Sequence, residues 1–187
     1  MPRRPTRPAV IGFLVSIAAA GVIASGQARQ TTPAPAAAAP VLICETAKGT
    51  FQVTLFAADA PKSVEHVLGL VKQNFYRGLR FHRVETNLVQ IGDPQTRDVS
   101  LKNLWGTGTS GHPIGVSEIS RKHLHVRGAV ALAHYGNPAT ADSQFYIMKA
   151  ANTSLDGKYA VIGQVTSGMD VIDKIEVGDV LRLVTIK

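Results

Sequence analysis

The chain has 187 residues, a formal net charge of +7 and a single cysteine. Its 20 Lys and Arg against 13 Asp and Glu are scattered rather than clustered, which argues against a nucleic-acid partner. Cys44 lies among Val41, Leu42 and Ile43, so a disulfide within one copy is excluded and a buried, inert thiol is expected.

In chain order, Arg3, Arg4 and Arg7 precede an apolar run from Ala9 to Ala24 and small residues through Ala28, the layout of a secretory signal over residues 1–28. Gly26-Gln27-Ala28 or Ala24-Ser25-Gly26 fits the small-residue rule for cleavage, and no cysteine follows to take a lipid. Export to a bacterial periplasm is the expectation, with membrane attachment through residues 9–24 only if the segment stays uncleaved. The Pro- and Ala-rich stretch 29–40 is expected to be an extended linker, because its prolines forbid a continuous helix. Loss of the leader arginines lowers the net charge to about +4. Residues 41–187 are enough for one domain with its own core and too few for two.

The body opens with strand-like runs Val41–Thr46 and Thr50–Phe56, separated by Ala47-Lys48-Gly49. Asp59 is placed to cap a helix with Pro61 in its first turn, and Val64, Val67, Leu68, Val71 and Phe75 keep helical spacing up to a stop before Gly78. Two apolar segments, Phe81–Val84 and Leu88–Ile91, then form a hairpin closed by Gly92-Asp93-Pro94. Alternation along a strand puts Phe81 with Arg83 on one face and Leu88 with Gln90 on another. If those faces coincide, a guanidinium, an amide and apolar surface converge, a combination able to hold a carbonyl or act on an amide. A surface ion pair is the plainer role for Arg83.

Residues 95–127 form a long loop, with Trp105-Gly106-Thr107-Gly108-Thr109-Ser110-Gly111 as a flexible wall bordering a site. Gly128–Ala133 and Gln144–Met148 follow as strands. Leu155-Asp156-Gly157-Lys158 is a turn into a strand Tyr159–Val165, Gly168–Ile175 is a short helix with Met169, Ile172 and Ile175 inward, and Val180–Ile186 closes the chain. About eight short strands with two helices and no strand–helix alternation predict a mainly β fold, a closed antiparallel barrel.

Phe81-His82-Arg83-Val84, Gln90-Ile91-Gly92-Asp93-Pro94, Gly128 to Ala133, Ser143-Gln144-Phe145-Tyr146-Ile147 and Leu155 to Gly163 resemble, in this order, the motifs of cyclophilin-type peptidyl-prolyl isomerases. The resemblance spans residues 41–187. It implies an eight-stranded antiparallel barrel with a helix at each end, and a groove on the outer face of the barrel. It implies Arg83 as the principal catalytic residue with Gln90 beside it, and Leu88, Ala133, His134, Gln144, Tyr146, Leu155 and Tyr159 as substrate-binding positions. It further implies that X-Pro bonds of folding polypeptides are the substrate. No cofactor or metal is called for, and a monomer is expected. A non-catalytic proline-peptide binding or chaperone-like module of the same fold is the alternative.

The sequence departs from the family pattern in particular places. The segment from Arg83 to Gln90 is one residue shorter than usual, so an aromatic position of the family falls on either Asn87 or Leu88. Tyr146 stands for the usual phenylalanine, Ser154 for a tryptophan and Tyr159 for a histidine, which weakens the case for cyclosporin binding more than that for catalysis. Other constellations are weaker. His112, His123 and His125 lack an acidic or cysteine partner nearby in sequence and are expected to be solvated loop histidines rather than metal ligands. Asp142-Ser143 with His134 lacks the Gly-x-Ser-x-Gly context of a hydrolase, and the Gly106–Gly111 loop lacks the Lys-Thr of a phosphate loop.

Overall fold

A computed structural model describes residues 38–187. The expected signal segment and nearly all of the linker lie outside the described residues. Eight strands carry the fold: β1 (Val41–Thr46), β2 (Gly49–Leu55), β3 (Arg83–Val84), β4 (Leu88–Ile91), β5 (Ala129–Leu132), β6 (Phe145–Met148), β7 (Val161–Ser167) and β8 (Leu181–Ile186). They form one sheet in the order β3-β4-β6-β5-β7-β2-β1-β8, and every ladder in it is antiparallel. The sheet curves as a half-barrel. Its edge strands share no ladder, but the chain entering β3 meets the chain entering β8 at the bridge Arg80–Val180. There Gly78 N donates to Leu181 O (2.8 Å), Phe81 N to Asp179 O (3.0 Å) and Gly178 N to Phe81 O (2.8 Å).

Helix α1 (Pro61–Lys72) places Pro61 at its first turn, where a missing N–H costs nothing, and buries Val64, Val67, Leu70 and Val71. It differs from expectation at both ends. Ala60, not Asp59, is the N-cap residue and offers no side-chain cap; the Glu118 carboxylate accepts Lys62 N (3.0 Å) and Ser63 N (2.7 Å) of the first turn, and the Asp59 carboxylate binds Lys122 Nζ (2.6 Å) and His123 Nε2 (2.8 Å). The helix stops at Lys72, and the backbone turns at Asn74, whose φ is +56°. Phe75 keeps its contact with the core from outside the helix, which is why the apolar spacing overruns the helical backbone. Helix α2 (Met169–Asp173) buries Val171 and Ile172, with Ile175 inward just beyond its end.

Strands β4, β5 and β6 are buried at every position, because both faces of the sheet are covered there. Val89, Ile91, Val130, Leu132, Phe145 and Ile147 enter the main core with Phe51, Tyr76, Leu79 and Phe81. The alternate residues Leu88, Ala129, Ala131, Tyr146 and Met148 build a second apolar cluster on the opposite face, joined by Ala133, Leu155 and Tyr159. Each fully buried large apolar side chain contributes about 1.5–3 kcal/mol, so the main core dominates stability and the smaller cluster is left to shape a surface. Phe81 belongs to the main core and not to the face of Arg83, because the chain joins the β3 ladder only at Arg83 and strict alternation does not extend back to residue 81. Cys44 is 1% exposed, and burial pushes its thiol up to about 12.

Candidate active site

The second cluster floors a groove of about 510 Å³. Strand register supplies its centre. Arg83 faces Gln90, Gln90 faces Tyr146 and Tyr146 faces Ala131, so one row of side chains crosses β3, β4, β6 and β5 from a cation through an amide to apolar surface. The turn between Arg83 and Gln90 is tight, with Glu85 N donating to Leu88 O (2.8 Å), and this shortened hairpin still holds the two side chains opposite each other. It also decides between Asn87 and Leu88. The carbonyl of Asn87 receives Lys149 N (2.7 Å), while Leu88 is buried in the groove floor.

A polar relay crosses the floor. Arg83 Nη1 donates to Gln90 Oε1 (3.1 Å), Gln90 Nε2 donates to Gln144 Oε1 (2.8 Å), and Gln144 Nε2 donates to the carbonyls of Gly106 (2.9 Å) and Gly108 (2.7 Å). Each amide uses acceptor and donor in one direction, so the relay has a single polarity. On its solvent side Arg83 Nε donates to Glu85 Oε1 at 2.7 Å. Gly92 is what lets β4 and β6 approach at this point. Its φ is +115°, and a Cβ there would stand 2.2 Å from Ser143 O.

The groove wall from Trp105 to Thr109 was expected to be flexible, yet it is fastened. Asp93 accepts from Gly106 N and Gln95 N, Gln144 binds both glycine carbonyls, and the Tyr135 hydroxyl donates to Gly106 O (2.9 Å). Asp142 anchors the next stretch, accepting from His66 Nε2 (2.9 Å), Gly111 N (2.9 Å), His112 N (3.1 Å) and the Ser110 hydroxyl. Burial pushes its carboxyl up, but the bonds from Ser110, His66 and Thr109 outweigh it and hold the group below the usual carboxylate range. Ser143 donates to Gly92 O (2.7 Å) and His134 Nε2 binds Lys158 O (3.0 Å), so neither belongs to a nucleophilic triad.

All nine residues singled out from the sequence line this one groove: Arg83, Leu88, Gln90, Ala133, His134, Gln144, Tyr146, Leu155 and Tyr159. Sequence reasoning missed His82, Tyr135, Thr140 and Asp142 as groove residues. His82 was quoted only as a motif member; both its ring nitrogens are buried without a protein partner, and burial lowers its pKa against the opposing pull of Asp93. The histidines expected to be solvated are not all so. His112 is exposed, but His123 stacks on Phe56 with ring centroids 3.9 Å apart and binds Asp59, and His125 is buried between Asp156 and Tyr146. Among the described residues no three His, Cys, Asp or Glu side chains gather as a metal site, and no helix is long and apolar enough to cross a membrane.

An antiparallel half-barrel bearing a cation beside an apolar slot on its outer face suits a ligand that joins an apolar group to a polar one. Comparison with known proteins supplies the family. Residues 41–186 match the family model described as cyclophilin type peptidyl-prolyl cis-trans isomerase/CLD, and the chain belongs to this family. A Helicobacter pylori protein named peptidyl-prolyl cis-trans isomerase is 38% identical over 143 residues, 75% of this chain and 82% of the relative. The Caenorhabditis elegans peptidyl-prolyl cis-trans isomerase 10 is 34% identical over 132 residues, 70% of this chain and 78% of that one. Among solved structures, a Cryptosporidium parvum cyclophilin type isomerase shares the fold with a TM-score of 0.69 at 22% identity, covering 80% of this chain and 98% of its own. The same protein solved in the presence of the dipeptide Ala-Pro gives a TM-score of 0.68, covering 79% of this chain and 98% of its own.

Proposed function

We propose that this chain is a peptidyl-prolyl cis-trans isomerase that accelerates rotation about X-Pro bonds in exported polypeptides, with Arg83 stabilising the twisted amide. The observation that carries the reading is the Arg83 guanidinium, held by Gln90 at 3.1 Å on the rim of an apolar slot. X-Pro rotation faces a barrier of about 18–20 kcal/mol because twisting destroys amide resonance. In the twisted state the prolyl nitrogen regains a lone pair that a planar amide lacks. A donor aimed at that nitrogen binds the transition state selectively, which is the condition for catalysis. One charged hydrogen bond is worth about 1.5–3 kcal/mol, or roughly ten- to 150-fold, so Arg83 alone is not enough and the hold on the peptide backbone supplies more. Leu88, Tyr146 and Leu155 take the proline ring, while Gln90 and Gln144 meet the peptide backbone and hold it in the geometry from which rotation proceeds.

The leader-like N-terminus motivates the choice of exported polypeptides, and the protein acts as a monomer. The bridge at Arg80 and Val180 is read as the seam that closes the barrel behind the groove. The test is the isomerisation rate of an Ala-Pro peptide with the parent chain and with Arg83→Ala, both shown to be folded. Acceleration by the parent and loss of most of it in the variant supports the assignment. No acceleration across several peptides sinks the enzyme reading, and undiminished activity in the variant sinks the mechanism.

A further inference from the structure

Behind the apolar wall of the groove lies a polar constellation that the arginine mechanism does not use. The His125 side chain is fully buried (0% exposed) between two partners: its Nδ1 lies 2.9 Å from Asp156 Oδ1 and its Nε2 lies 2.9 Å from the Tyr146 hydroxyl. The same Asp156 oxygen also accepts the backbone N–H of His125 at 2.8 Å. The two rings are nearly parallel, 5.9 Å between centroids at 18°, and Tyr159 packs edge-on to both. His125 does not line the groove, but the three residues around it do: Tyr146 on β6, and Leu155 and Tyr159 on either side of Asp156.

For a neutral imidazole, proton bookkeeping gives the network one arrangement. The backbone N–H of His125, followed by its imidazole, holds the Asp156 carboxyl below its usual range, so Asp156 is an acceptor only. Nδ1 of His125 must then donate. In the neutral ring Nε2 is left as acceptor, and the Tyr146 hydroxyl donates to it. Burial pushes the Tyr146 phenol up, which keeps that proton in place. A phenylalanine at this position would leave a buried Nε2 unpaired, so the tyrosine and the histidine require each other.

We propose that His125, fixed by Asp156, is a positioning residue that clamps Tyr146 to the Leu155–Tyr159 loop and so sets the width of the proline slot. The inference rests on the isomerase reading above and adds a device to it. The slot holds a proline ring alike in the planar and twisted states, so the clamp acts on substrate binding and its loss appears in KM rather than in kcat.

The test is a double-mutant cycle in the full chain with Tyr146→Phe, which removes only the hydroxyl, and His125→Gln. Isomerisation kinetics and the Kd of an unreactive Ala-Pro peptide are measured in parallel. Each single variant is expected to raise KM and Kd about three- to tenfold with kcat little changed, and the double variant to be no worse than the poorer single one. Parental constants in folded single variants, losses that multiply in the double variant, or losses confined to kcat would overturn the proposal. If His125→Gln does not fold, Asp156→Asn replaces it in the same cycle with the same expectations. A parent that binds the peptide without accelerating isomerisation refutes the enzyme reading alone, and the cycle is then decided in Kd. A parent that does neither overturns both.

Discussion

Gln90→Met is the sharpest probe of the relay, because it keeps shape and length while removing both the acceptor that Arg83 uses and the donor that Gln144 uses. The bond from Arg83 is charge-assisted and could be worth up to about 3 kcal/mol. The Arg83 side chain is 48% exposed, however, and solvent screening brings the figure down to about 1 kcal/mol. That predicts about a fivefold fall in kcat/KM. The consequence for stability is separate. Gln144 is 5% exposed, so its Oε1, now without a donor, costs about 1–3 kcal/mol and lowers Tm by roughly 2–10 °C. Glu85, 2.7 Å from Arg83 Nε, then holds the guanidinium unopposed and draws it toward solvent. Adding Glu85→Gln to Gln90→Met should therefore recover part of the rate without recovering Tm. The assays are a peptide isomerisation time course and a thermal melt. A folded Gln90→Met variant with parental kcat/KM would refute the idea that the relay aims Arg83.

The remaining predictions concern the frame around the groove. Gly92→Ala is expected to cost more than about 4 kcal/mol, since its Cβ would meet the Ser143 carbonyl at 2.2 Å in a backbone of φ +115°; a urea midpoint close to the parent's would contradict this. Cys44, with its thiol raised to about 12 by burial, should resist a thiol-specific reagent in the native chain and react only as the chain unfolds, and rapid native labelling at neutral pH would show the burial to be wrong. For Asp142 the folded carboxyl lies below its unfolded value, so its contribution is complete above about pH 4, the unfolded carboxylate value, and is lost as pH falls through the folded one. The stability gap between parent and Asp142→Asn should accordingly be present near neutrality and shrink in acid. A gap that stays constant down to about pH 2 would argue against this assignment.

Much of the sheet was legible because its strands are short runs of apolar and β-branched residues punctuated by Gly, Asp and Pro. The groove was legible because five motifs fall in order, and they bring Arg83, Gln90 and Tyr146 together through strand register, with Gln144 joined to Gln90 by a side-chain bond. What the sequence concealed was long-range. His123 finds Asp59 across 64 residues of chain and His125 finds Asp156 across 31, so a search for nearby acidic partners had nothing to detect. Phe75 misled in another way. Its position continues the helical period, yet the backbone leaves the helix at Lys72, and the side chain reaches the same core from a turn. Phe81 was assigned to the face of Arg83 because alternation was extended beyond the two residues that actually enter the β3 ladder.

Glutamine at the centre of the relay has a physical reason. Position 90 must accept from a guanidinium and donate to Gln144 Oε1 at once, and at neutral pH an amide does both. A carboxylate there would hold Arg83 more firmly, yet it would present negative charge to the Gln144 carbonyl and partly neutralise the cation on which the proposed mechanism rests. An apolar residue would leave the buried Gln144 Oε1 without a donor and the guanidinium without its inner acceptor. With the amide in place the guanidinium is held before a peptide arrives, and in the proposed mechanism this spares reorganisation at the transition state, where electrostatic catalysis draws most of its effect. On the apolar side His125 joins Tyr146 to Asp156 behind the slot. In the proposed mechanism the half-exposed cation on Arg83, the group of this row able to donate to the nitrogen of a twisted X-Pro amide, stands at the rim with the neutral amides of Gln90 and Gln144 behind it.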